Sequence, residues 1–307
     1  MNKAVAQPLV LALALLAGGT GWNYKSFDRQ ARIKARYTAS LVALPRPEVV
    51  RLLSLGFRHV LADWYWIKGV NYFGDGRNTA VAYAEFYNYL KLVTDLDPQY
   101  YPAYLFGGYA LPWNRGDKWV NTQETAWLLE DGIKNFPAAW QLRFQLAYVY
   151  SAYLHRYKEA GDQLAAAARL PGSPPFLGTL ATRMYATTGD LEGAELLAEH
   201  LMRDAEDPRV AALMRRRLME LRAANQGQAL TQAAAKFAAA HGGHFPASLA
   251  ELEQAGVAIP VEPLGGSWNY DPATGTVKSS VLKERLDIYI HPREAAQASA
   301  TNSDARH

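Results

Sequence analysis

The chain has 307 residues, a net charge of +3, 20% charged and 12% aromatic residues, and no cysteine. Without cysteine there is no disulfide, no thiolate nucleophile and no cysteine-ligated metal. The near-neutral balance leaves no electrostatic footprint for nucleic acid, and the length suffices for a real core in one extended domain or two.

Residues 1–22 read as a signal peptide or membrane anchor. Lys3 gives a short positive start, and Leu9 to Ala17 is continuously apolar after Pro8. The run is shorter than the roughly 20 residues of a comfortable span and closer to a signal-peptide core. Ala17-Gly18-Gly19 offers small residues for cleavage, and extension through Trp22 gives a marginal span with an interfacial aromatic. Residues 23–46 form a basic linker, with Lys25, Arg29, Arg32, Lys34 and Arg36 set against Asp28. That cluster would prefer the cytoplasm by the positive-inside rule, whereas a short apolar run after a charged start argues for export. The expectation is a bacterial inner-membrane protein with its soluble part in the periplasm. The linker itself suits contact with anionic lipid head groups.

After Leu44-Pro45-Arg46-Pro47, the stretch Val49 to Phe73 reads as one long helix. Val50, Leu53, Phe57, Val60, Leu61, Trp64 and Ile67 form its apolar stripe. Gly56 either weakens this helix or marks a close helix contact. Gly74-Asp75-Gly76 ends it, and Tyr83 to Asp95 is its partner helix.

Four prolines then punctuate the chain: Leu96-Asp97-Pro98, Asn135-Phe136-Pro137, Arg169-Leu170-Pro171 and Glu206-Asp207-Pro208, at intervals of 39, 34 and 37 residues. Each interval holds two apolar-periodic helices, and each proline stops the second helix of a pair. Tyr104, Gly107-Gly108 and Leu111 follow the first; Trp140, Leu146-Ala147 and Tyr150 the second; Leu180-Ala181 and Met184 the third. Small residues (Gly108, Ala147, Ala181, then Ala160 and Ala194) would let paired helices approach closely. This pattern resembles the tetratricopeptide repeat family, whose unit of about 34 residues carries an aromatic, a large–small pair and a second aromatic on its first helix. The resemblance covers roughly residues 50–220 and implies a mainly α fold, with a solenoid of helix-turn-helix repeats over residues 47–222. Leu55-Gly56-Phe57-Arg58 and Leu61-Ala62-Asp63-Trp64-Tyr65-Trp66 look like a segment found in membrane-anchored bacterial proteins of this class.

The family's first helices line a concave groove. Counted from Tyr101, the groove positions are Pro102, Leu105, Tyr109, Pro112 and Trp113; from Trp140 they are Gln141, Phe144, Tyr148, Ser151 and Ala152. Six of the eight tryptophans lie between residues 64 and 140. Part of this aromatic content belongs to the core between helices, and an aromatic groove suits a peptide segment. Trp113 to Trp119 is an inserted loop of the kind that borders binding faces.

Val210 to Ala223 and Ala229 to Ala240 read as two further helices, with Arg215-Arg216-Arg217 as a solvated capping face. Residues 223–282 then form a different, small α+β module. Ser248 and Glu251 have capping-box spacing, Gly256 ends that helix, and Trp268 to Ser279 reads as two strands around Asp271-Pro272-Ala273-Thr274-Gly275. The stretch is similar to the C-terminal end of pseudopilins and type IV pilin-like proteins, although a repeat domain here separates it from the apolar segment. A weak strand is expected at Leu286 to Ile290, and residues 283–307 are a tail, partly disordered.

Chemical motifs are sparse. His241-Gly242-Gly243-His244 provides two imidazoles on a floppy spacer with no third ligand nearby. Asp95 and Asp97 suit helix termination, and Glu48 and Asp63 suit outward or tyrosine-bonded carboxylates. No catalytic residue, metal or cofactor is expected. The reading is a membrane-tethered scaffold whose groove takes a segment of a protein partner, with envelope-assembly components of a pilus-like or secretion system as the expected class. The alternative is an exported solenoid enzyme acting on cell-wall glycan, like a lytic transglycosylase. That class needs a glutamate-bearing catalytic domain after the repeats, and residues 223–307 are too short for one.

Overall fold

A computed structural model describes residues 44–45, 47–76, 83, 85–116, 118–282 and 286. The N-terminal apolar run, the basic linker and the tail lie outside these residues, as does the strand expected at 286–290 except for Leu286. The described residues from Pro47 onward form one compact unit and are mainly helical. No described helix is long and apolar enough to cross a membrane.

The expected long first helix is two. Helix α1 runs Pro47–Leu53 and α2 runs Arg58–Gly74. Between them Leu55 and Gly56 take φ of 46° and 94°, which breaks the helical hydrogen-bond ladder. No atom lies near the position a Gly56 side chain would fill, so this glycine marks a turn and not a helix contact. The expected apolar stripe also points the other way: Leu53, Phe57, Val60, Trp64 and Ile67 are exposed, while Ala62 and Gly69 are buried.

Eight helices follow. They are α3 (Phe86–Leu96), α4 (Tyr101–Ala110), α5 (Thr122–Asn135), α6 (Trp140–Ala152), α7 (Tyr157–Ala168), α8 (Phe176–Thr187), α9 (Leu191–Asp204) and α10 (Pro208–Ala240). Pro98, Pro137 and Pro171 stand in the connections after α3, α5 and α7, and Pro208 opens α10. A proline is tolerated there because a first-turn amide needs no intrahelical partner. Each helix packs on its chain neighbours from α2 to α10, and α3 also meets α5, α4 meets α6 and α8 meets α10. Asp190 caps α9 by accepting from the Gly193 amide at 2.8 Å, and Asp207 caps α10 by accepting from Arg209 at 2.8 Å.

Small residues set the approach of these helices. Ala147, Ala160, Ala181 and Ala194 are buried. A Cβ on Gly108 would fall 2.0 Å from Gln145 Oε1, one on Gly132 2.8 Å from the Tyr104 ring, and one on Gly161 2.9 Å from the Tyr185 ring. Large side chains fill the remaining space, with Leu90, Leu128, Leu142, Leu146 and Leu177 among those fully enclosed.

The inserted loop between α4 and α5 is a small hairpin. Strand β1 (Trp113–Asn114) pairs antiparallel with β2 (Trp119–Val120). Asn121, in the left-handed conformation at φ 59°, then turns the chain into α5 and donates its side-chain amide to the Leu111 carbonyl at 3.2 Å.

The two helices expected between 210 and 240 are one. Helix α10 continues through Gly227, whose missing side chain admits the C-terminal hairpin. A Cβ there would stand 3.1 Å from the Val277 carbonyl oxygen. That hairpin pairs β3 (Trp268–Asp271) with β4 (Thr276–Ser279) antiparallel, and β4 lies on α10. The Val277 amide donates to Thr231 Oγ1 at 2.9 Å. Helix α11 (Leu249–Gln254) begins where Ser248 Oγ accepts from the Glu251 amide and the Glu251 carboxylate accepts from the Ala247 amide at 2.7 Å. Glu262 is buried because its carboxylate accepts from the Leu264 and Gly266 amides and from Ser279 Oγ.

The run of three arginines is split. Arg215 and Arg216 are exposed, but Arg217 is 3% exposed. It donates to Thr182 Oγ1 of α8 at 2.9 Å, to Glu220 at 3.3 Å and to the Leu286 carbonyl at 3.0 Å. Leu286 itself packs among Ala194, Ala198, Leu218 and Leu221.

Ala194→Leu is expected to lower the unfolding free energy by about 1–3 kcal/mol, because a close helix approach has no room for three added carbons. Leu196→Ala, on the exposed side of the same helix, is expected to change it by less than about 0.5 kcal/mol. Urea denaturation followed by circular dichroism measures both.

Candidate functional site

The six groove positions expected from the sequence divide. On α4, Leu105 is half-buried and its carbonyl accepts from Gln145 Nε2 of α6 at 3.2 Å, a cross-link that ties the two helices together. Tyr109, one turn on, is 69% exposed. Helix α4 ends at Ala110, so Trp113 leaves the helix. It sits in β1, and its ring meets Tyr83 edge-on at 4.8 Å. On α6, Gln141 and Phe144 are half-buried and Tyr148 is 55% exposed.

The structure adds three rings that the repeat count omitted. Phe176, at the first position of α8, meets Phe144 edge-on at 6.1 Å. Tyr153, just past α6, meets Tyr148 edge-on at 5.5 Å. Trp119 of β2 lies against Tyr153 at 4.7 Å. Phe144 and Tyr148 are one helical turn apart. Phe176, Phe144, Tyr148, Tyr153 and Trp119 therefore form a row of five aromatics from α8 along α6 to the hairpin. Edge-to-face and tilted contacts hold such rings at low conformational cost. Phe176, Tyr148 and Trp119 keep about half their surface exposed.

The signals for two of these residues lie in the sequence. Trp119 closes the hairpin that the long proline interval announces, and Tyr153 follows directly on the expected groove positions Ser151 and Ala152. Their meeting is not legible, because it requires the hairpin to fold back onto the end of α6.

Several phenols in this row and elsewhere in the helical body are pushed above their ordinary value. Burial, followed by the Tyr148 phenol as neighbour and hydrogen-bond partner, pushes Tyr153 up to about 12. Burial and then a hydrogen bond to Asp63 push Tyr100 up to about 12; Asp63 is thus a tyrosine-bonded carboxylate. Tyr104 and Tyr185 rise to about 12, chiefly through burial. Tyr150 donates to Glu130 Oε1 at 2.6 Å under the Arg156 guanidinium, and burial raises its phenol furthest of all.

Among the described residues no group of three or more His, Asp or Glu side chains is placed to hold a metal. His241 stacks on Phe237 at 3.9 Å and its Nδ1 lies 2.8 Å from the Phe237 carbonyl. A cleft of about 400 Å³ opens where residues 168–175 meet residues 204–207, but its lining contains no aromatic ring. The arrangement on α6 offers ring surface for contact, with Tyr148 exposed and Phe144 half-buried one turn before it.

Comparison of the chain with family models, with curated proteins and with solved structures finds no match.

Phenols raised in the folded state stabilise it fully below the unfolded value of about 10, and that contribution is lost as pH rises through about 12. Absorbance titration is expected to show a late group of tyrosines ionising near 12 that moves to about 10 in denaturant. A single ionisation near 10 in both states would contradict the packing described.

Proposed function

We propose that this protein is a membrane-tethered scaffold that binds a segment of another protein along the aromatic row Phe176, Phe144, Tyr148, Tyr153 and Trp119. The row carries the proposal. Soluble proteins bury most of their large rings, and a contiguous exposed set marks a contact surface. Tyrosine and tryptophan give large contact area with few rotatable bonds, which is why they dominate binding hot spots.

The fold supports a tetratricopeptide-like solenoid as the support for this row. Helices pair between prolines, small residues stand at the close approaches, and first helices meet first helices of the next pair, as α4 does α6. In such an architecture the α6 face carrying Phe144 and Tyr148 belongs to the concave side. The C-terminal α11–β3–β4 segment reads as a small pilin-like module docked on α10. The segment bound is apolar and extended or helical, spaced to set side chains between successive rings. In this reading the apolar N-terminal run anchors the protein in a bacterial inner membrane with its body on the periplasmic side, among components of a pilus-like or secretion assembly. Nucleic acid and cofactors have no part in this reading.

Selection from a random peptide library on the full chain tests the proposal. A selected peptide is expected to bind Trp119→Ala or Tyr148→Ala about 5–30-fold more weakly, the range of a typical hot-spot truncation. Leu196→Ala should bind unchanged. Equal affinity for all variants, or failure to select any peptide, would overturn the aromatic row as the binding face; bound glycan in place of protein in the purified material would overturn the scaffold reading itself.

A further inference from the structure

Half of the large apolar side chains exposed among the described residues fall between residues 49 and 70. Leu52, Leu53, Leu55, Phe57, Val60, Trp64 and Ile67 are each more than half exposed. Phe57, Val60, Trp64 and Ile67 have the spacing of a single helical stripe. The opposite side of α2 is also apolar. Its Trp66 meets Tyr100 and Phe106, and its Phe73 meets Phe86. A helix apolar on both sides requires cover on both, and the body of the protein covers only one.

The turn between α1 and α2 adds to this face. Leu55 takes a left-handed φ of 46° and is 86% exposed. A left-handed conformation is unfavourable for leucine, and here it presents a leucine to the outside. Basic groups border the exposed stripe. Lys68 Nζ lies 5.1 Å from the Trp64 ring centre and 5.9 Å from that of Tyr65, and Arg51 and Arg58 flank the turn. The acidic residues of this segment are Glu48 at the start of α1, Asp63, which accepts from Tyr100, and Asp75 at the end of α2. Leucines with a tryptophan–lysine edge are the composition of a helix that lies in a lipid interface.

We propose that the α1–α2 face seats on the surface of an anionic bilayer, with Leu55, Phe57, Val60, Trp64 and Ile67 in the head-group and upper acyl region. The position of the face in the chain favours lipid over a second copy or a protein partner. It is the first described element after the apolar run of residues 9–17 and the five basic residues between 25 and 36. Basic residues beside an anionic surface are drawn to it. A tether alone leaves the repeat body free to swing, whereas this contact fixes it against the membrane in one orientation.

The natural absence of cysteine permits single-site labelling. Val60→Cys, Ile67→Cys and, as a control on α9, Leu196→Cys are made in the full chain and labelled with an environment-sensitive fluorophore. Circular dichroism checks their folding. They are reconstituted in phosphatidylcholine–phosphatidylglycerol vesicles with and without nitroxide-labelled acyl chains. Emission at 60 and 67 is expected to be blue-shifted and quenched about twofold or more by the nitroxide lipids, with 196 aqueous and unquenched. Blue-shifted but unquenched labels at 60 and 67 would show that protein covers the face and would overturn the proposal. Aqueous emission at all three sites on vesicle-bound protein would overturn it while leaving the tether intact. Protein that does not float with the vesicles at all would overturn both.

Discussion

The close approach of consecutive helices is the constraint from which the rest of this structure follows. Gly108, Gly132 and Gly161 stand where even a methyl group would collide with a neighbouring helix's side chains, and Ala147, Ala160, Ala181 and Ala194 are buried at comparable positions. Helices held this near leave no room for large residues on the inner faces except in defined slots, which Tyr104 and the leucines occupy. Because each helix is fixed by its chain neighbours, the outer residues are fixed in turn. Phe144 and Tyr148 are aligned because α6 is clamped between α5 and α7 and bonded through Gln145 to α4.

The C-terminal segment depends on the same device. Gly227 removes a side chain from the middle of α10, and Val277 takes its place. Arg217 then joins α8, α10 and residue 286 through three hydrogen-bonded partners. A buried guanidinium is tolerable only with such satisfaction. The long helix α10 is thus both the last member of the helical series and the platform for the hairpin. The two apolar surfaces that remain differ in kind. The row on α6 consists of rings braced against one another. The α1–α2 face is a stripe of leucine, valine and isoleucine with a tryptophan and basic residues at its edge.

Features set by local chemistry were legible in the sequence. The four proline landmarks, the Ser248–Glu251 cap and the turn from Asp271 to Gly275 each depend on a few adjacent residues, and all lie where they were expected. The small residues were legible because Gly108, Ala147 and Ala181 each stand ten residues after a proline landmark. Features set by distant partners were not. A three-to-four periodicity shows that Phe57, Val60, Trp64 and Ile67 share a face, but not whether that face turns inward. Gly227 looks like a break between helices until Val277 is seen against it. Three arginines in a row look solvated until Arg217 finds Thr182, 35 residues before it, and Leu286, 69 residues after it. Trp119 and Tyr153 meet only because the hairpin folds back, so the candidate site was partly visible: Phe144 and Tyr148 of α6 were named, and Phe176, Tyr153 and Trp119 were missed.

The central claim is that the aromatic row, and not the rest of the helical surface, receives a protein segment in the cell. A photoreactive phenylalanine analogue placed at Tyr148, and separately at Leu196, tests it in intact cells. The account predicts a discrete protein adduct on irradiation at position 148 and none at position 196. The same adducts at both positions, or none at 148, would contradict it.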